Sequence, residues 1–224
     1  MDKYLKIYFV CLLTIFSMQI KGQALPKNST VRLLALGDSY TIGESVAELQ
    51  RWPVQLVDVL TKAGYRTRPP DIVAVTGWRT DDLNKALRAR KLPHNYDLVS
   101  LLIGVNNQYQ GRSISEYERE FEELLQIAIA HAGGDRSKLF VLSIPDYGFT
   151  PFGREKQKKI SEQIDMFNSV NRTITKRSGV RYIDITDISR LGLEDPDLLA
   201  TDGLHPSGKM YSLWVERILS ALGL

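Results

Sequence analysis

Ser39 stands where an apolar run gives way to helix-forming residues, in the stretch LLALGDSYTIGE from Leu33 to Glu44. A serine at such a junction is either a helix cap or a nucleophile. Three distant segments favour the second reading: Thr76-Gly77-Trp78, Gly104-Val105-Asn106-Asn107 and Asp202-Gly203-Leu204-His205. A serine hydroxyl becomes nucleophilic when a histidine takes its proton, and a carboxylate then holds the imidazole in the right tautomer. Asp202 and His205 are three residues apart, so one turn can bring the carboxylate to Nδ1 and leave Nε2 for Ser39. A developing oxyanion needs donors aimed at it. The Ser39 N–H, the Gly77 N–H and the Asn106 side-chain amide are the three on offer. Together these groups could carry out acyl transfer.

To meet in space, these residues need elements that converge. The sequence predicts buried strands at 31–37, 71–75, 96–104, 138–144 and 180–185. Between them it predicts a helix within 44–62, starting near Pro53, and one over 81–90 with Thr80 as its cap. Further helices are expected from Ser113 to about His131, over 155–177, and over 207–222. Five apolar strands alternating with helices imply a parallel sheet covered on both faces. Functional loops in such folds lie beyond the carboxyl ends of the strands. In a sheet ordered 2-1-3-4-5 the four segments above share one edge. Asp38 reads as a cap or turn residue, and Asp184 and Asp187 likewise. Tyr40, Trp78 and Tyr109 sit in or beside the segments and are candidates for lining a substrate pocket. The segment 145–153, PDYGFTPFG, is rich in aromatic residues, proline and glycine and is a candidate lid.

The pattern resembles a known family. GDSY around Ser39, Gly77, GVNN around Asn106 and DGLH at 202–205 are similar to the four blocks of the SGNH hydrolases, also called GDSL esterases and lipases. The likeness covers nearly all of the chain after residue 24. It implies a flavodoxin-like three-layer α/β/α fold. It also implies Ser39 as nucleophile, His205 as base and Asp202 as its orienter, with Ser39, Gly77 and Asn106 forming the oxyanion hole. Two positions depart from the family pattern. Tyr40 replaces the leucine of the family name, and Asn107 stands where many members carry aspartate, which bears on how the hole is supported. The rival α/β-hydrolase elbow, G-x-S-x-G, is not matched by Gly37-Asp38-Ser39-Tyr40-Thr41.

The remaining features set bounds. Residues 1–24 read as a signal peptide: Lys3 and Lys6, an apolar stretch from Ile7 to Met18, then Gly22 and Ala24 as small residues before a cleavage site. That stretch is short for a membrane span, which takes about 20 residues; a retained N-terminal anchor is the alternative. Residues 25–224 then form one hydrolase domain, secreted or periplasmic, with no stable membrane span. The formal net charge is +3; losing three lysines and one aspartate with the leader leaves +1, which argues against nucleic-acid partners. The only cysteine, Cys11, leaves as well, and with it any disulfide or thiolate site. No H-E-x-x-H, Walker or G-x-G-x-x-G pattern is present, and the chemistry calls for neither metal nor organic cofactor. The expected substrate is an acyl ester of a small molecule, polysaccharide or lipid. Short acyl or O-acetyl groups come first, a lysophospholipase- or thioesterase-like acyl tunnel second, and an inactive glycan-binding relative third.

Overall fold

The computed structural model describes residues 25, 27 and 29–224; the leader reading falls on residues outside this set. Five strands, β1 (Leu33–Gly37), β2 (Asp71–Ala74), β3 (Leu98–Leu102), β4 (Leu139–Leu142) and β5 (Arg181–Ile183), form one parallel sheet in the order β2-β1-β3-β4-β5. The expected order is the observed one. β1, β3 and β4 are buried throughout, which explains their unbroken apolar sequences.

Helices α2 (Trp52–Lys62) and α8 (Gly208–Leu222) pack against each other. Helices α3 (Thr80–Ala89), α5 (Ile114–His131) and α6 (Gln157–Arg177) pack side by side as a second group. Right-handed crossovers put these groups on opposite faces, giving three layers. Three short helices, α1 (Ser39–Ile42), α4 (Val105–Tyr109) and α7 (Thr186–Ser189), lie just past β1, β3 and β5. They are too short for hydrophobic periodicity to reveal them.

The end of β1 aligns with the ends of both neighbours, Gly37 opposite Ala74 and Leu102. A side chain at Gly37 would collide with Thr41 and with the Leu102 carbonyl. Glycine there lets α1 turn tightly against β3. This is also where the strand order reverses, so the loops after β1 and β3 diverge and leave a crevice.

Two local expectations need correction. Pro53 falls in the first turn of α2 as expected, but 48–50 forms a separate 3-10 turn, so the helix does not reach back to residue 44. Thr80 is the first residue of α3 rather than its cap; Arg79 precedes it and makes no side-chain cap bond. Ser113 and Ser207 do cap α5 and α8, accepting from the N–H groups of Glu116 and Met210.

Candidate active site

Asp38 stands between β1 and α1. Its Oδ1 accepts the Tyr40 N–H at 3.0 Å, so it caps α1 as expected. Burial raises its carboxyl to about 7, against the lowering effect of the Tyr40 and Asp38 N–H groups. Ser39 is the first residue of α1, and its N–H therefore has no acceptor within the helix.

At the other end of the chain, the 200–206 turn folds around one carboxylate. Asp202 Oδ1 accepts the N–H groups of Leu204 and His205, both at 2.9 Å. Its Oδ2 accepts His205 Nδ1 and the Ser45 hydroxyl, both at 2.6 Å. Burial opposes the charge, but the bonds from Ser45 and from the ring and backbone of His205 outweigh it. Asp202 is thereby held well below the usual carboxylate range. The three-residue spacing works because those two backbone N–H groups lock the carboxylate before it reaches the ring. Packing orients the imidazole further: Tyr40 meets it edge-on at 5.7 Å, and the Tyr211 hydroxyl on α8 donates to the Tyr40 carbonyl at 3.1 Å.

Gly77 takes φ +83°, a left-handed conformation that glycine tolerates best. Asn106, in α4, donates from Nδ2 to the Trp78 carbonyl at 2.9 Å, tying the loop after β3 to the loop after β2. An amide NH2 has two hydrogens, so one remains. The neighbouring Asn107 is fully buried. Its Oδ1 accepts the Thr80 N–H at 3.1 Å and its Nδ2 donates to the Thr80 hydroxyl at 2.6 Å. The start of α3 is therefore capped from the loop after β3 as well as by its own Asp82, whose Oδ2 accepts the Arg79 N–H at 3.1 Å.

Ser39, Gly77, Asn106 and His205 line one cavity of about 160 Å³, walled by Tyr40, Tyr109, Tyr147 and Phe152. Trp78 is not among the residues lining it; its ring packs against the core. The 145–153 segment forms part of the wall, and it is anchored. Asp146 accepts the Arg190 guanidinium at 3.0 Å, and the Asp146 N–H donates to Ser189. The Thr150 hydroxyl donates to the Tyr147 carbonyl. These bonds tie residues 146–150 to the 189–190 turn and to each other.

Ser45 escaped sequence reasoning. It is the one non-glycine residue with positive φ among those described, at +64°. It belongs to no block, and only the fold brings it to Asp202, 157 residues away. The strain of that backbone was the one structural sign, and it is not written in the residue type.

A family model described as the GDSL-like Lipase/Acylhydrolase family matches residues 35–213. The chain belongs to that family. Its members are carboxylic ester hydrolases. An acetylxylan esterase of Xylanibacter ruminicola is 24% identical over 228 residues. That match takes in 91% of this chain but 45% of the relative, so the chain spans about half the length of the curated relative. Among solved structures, Axe2, an acetylxylan esterase from Geobacillus stearothermophilus, superposes with a TM-score of 0.68 at 19% identity. The match covers 87% of this chain and 94% of that one. A lipase/acylhydrolase from Enterococcus faecalis gives 0.64 at 22% identity, covering 86% and 96%. At these identities the structural likenesses speak to fold. Among the described residues of this family member, no helix is long and apolar enough to cross a membrane.

Proposed function

We propose that the protein hydrolyses carboxylic acyl esters through an acyl-enzyme, with Ser39 as nucleophile, His205 as base and Asp202 as orienter. The observation that carries this is the Asp202–His205 pair at 2.6 Å, in a turn whose imidazole shares a small cavity with Ser39. With Nδ1 committed to Asp202, Nε2 is the nitrogen left to take a proton. The Ser39 oxygen bonds to the acyl carbon and its proton passes to Nε2. The negative oxygen is held by the Ser39 and Gly77 N–H groups and the remaining N–H of Asn106. As the carbonyl reforms, the alcohol leaves with that proton. Water then gives its proton to Nε2 and attacks the acyl carbon, and the acid departs as Ser39 regains its hydrogen. Ser45 steadies Asp202 throughout.

The acyl group is short, an acetyl foremost. A cavity of about 160 Å³ closed by aromatic rings leaves little room for a long chain. The acetylxylan esterase likeness agrees with an O-acetylated sugar as the substrate. The leader sequence supports secretion, where such polysaccharides are met.

A fluorophosphonate probe should label the protein, and Ser39→Ala should abolish both labelling and turnover of p-nitrophenyl acetate while keeping the circular dichroism spectrum. Persisting turnover in that variant would remove Ser39 from the mechanism.

A further inference from the structure

A second cavity, about 380 Å³, lies directly behind the aromatic wall of the first. Tyr109, Tyr147 and Phe152 belong to both. Their ring centroids form a triangle with sides of 6.1, 6.1 and 6.2 Å. Tyr109 and Phe152 are nonetheless 59% and 54% exposed, so the triangle keeps an open aromatic face. The far side of the cavity is mostly polar, with Gln108, Gln163, Lys156, Lys159 and Glu155 beside the one aliphatic residue Ile160.

Gln108 is itself buried, and its Nε2 donates to Gln163 Oε1 at 2.7 Å. A fatty chain would bury Gln163 and the lysine heads against hydrocarbon. A sugar fits. Its hydroxyls donate and accept, matching an amide, ammonium groups and a carboxylate at once, while its C–H face can lie on the exposed rings.

We propose that this second cavity is a glycan subsite, holding sugar units of the oligosaccharide whose acyl ester sits at Ser39. The inference rests on the ester-hydrolase reading for the placement of its ligand. The aromatic wall then works on both sides, limiting the acyl group inside and carrying the sugar outside.

The test compares acetylated xylotetraose, p-nitrophenyl acetate and p-nitrophenyl octanoate in the full chain and in a Gln163→Leu/Lys159→Ala variant. The KM for acetylated xylotetraose should rise about tenfold, the loss of one or two hydrogen bonds. Its kcat should hold, as should both constants for p-nitrophenyl acetate, which carries no sugar. An unchanged oligosaccharide KM with p-nitrophenyl acetate still turned over overturns the subsite and leaves the hydrolase reading standing. A variant impaired on octanoate alone makes the cavity an acyl pocket and also overturns it. Should the wild-type chain cleave none of the three, the hydrolase reading fails. Calorimetry with unacetylated xylotetraose then decides the subsite: binding weakened in the variant supports it, and no binding to the wild type overturns it.

Discussion

Two side chains carry consequences of their own at the residue scale. The Ser45 hydroxyl donates to the same Asp202 oxygen that holds His205 Nδ1. Without that donor the carboxylate is less stabilised and freer to rotate, so Ser45→Ala should lower kcat/KM by roughly tenfold, the scale of a hydrogen bond to a charged group. Ser45→Gly relieves the backbone at +64° while making the same deletion, so equal losses in the two variants would assign the effect to the hydroxyl. An unchanged kcat/KM in both would confine Ser45 to a structural part. Asp38 acts on stability instead. Its carboxyl is raised from 3.8 to about 7 by burial. A raised acid favours the folded state below its unfolded value, and that advantage is lost as pH climbs through about 7. The loss approaches about 4 kcal/mol at the alkaline end. Asp38→Asn keeps the acceptor for the Tyr40 N–H and carries no charge. The melting temperature of the variant relative to wild type should therefore climb from about pH 4 to about pH 7 and level off above it; a constant difference would contradict the buried-acid account.

At the element scale, the start of α3 depends on a side chain from another loop. The Thr80 hydroxyl donates to Glu120 Oε2 on α5 at 2.5 Å, which spends its hydrogen. It can then only accept from residue 107, and an asparagine supplies the N–H. The family's commoner aspartate would face a spent hydroxyl and a nearby second carboxylate. This gives a physical reason for the departure at Asn107. Asn107→Asp should destabilise the protein by about 1–3 kcal/mol in urea unfolding, the cost of an unsatisfied buried group. Adding Glu120→Gln should recover much of it, since the amide can donate to Thr80 and free the hydroxyl to face the introduced carboxylate. Additive losses in the double variant would show that the two positions do not communicate through Thr80.

At the scale of the whole molecule, the proposed substrate range rests on how the space is partitioned. Two cavities share one aromatic wall, and Phe152 stands in it with half its surface open. Phe152→Ala should widen the inner cavity and raise kcat/KM for butanoate relative to acetate by about tenfold, given what a few methylenes contribute against the remaining tyrosine rings. No change in that ratio would mean that acyl length is limited elsewhere. The wall was only half legible beforehand. The 145–153 composition marks a segment at the site, while its bonds to Arg190, Ser189 and within itself belong to the fold. Trp78 illustrates the same limit. Its position beside Gly77 suggests a pocket residue, yet its ring turns to the core and only its carbonyl serves the site, through Asn106.

Local sequence determined which segments are strands and where the Asp202–His205 turn closes, while the strand order and the shared edge came with the family resemblance that the blocks carry. Unbroken apolar runs bury as parallel strands, and a three-residue spacing closes through backbone N–H groups that any such turn supplies. Tertiary structure alone decided what supports them: Ser45 on Asp202 and Asn107 on Thr80. These contacts join residues with no pattern between them, 157 positions apart in the first case. A hydrogen bond depends on where two chains arrive in space, and residue type records only that a donor is available.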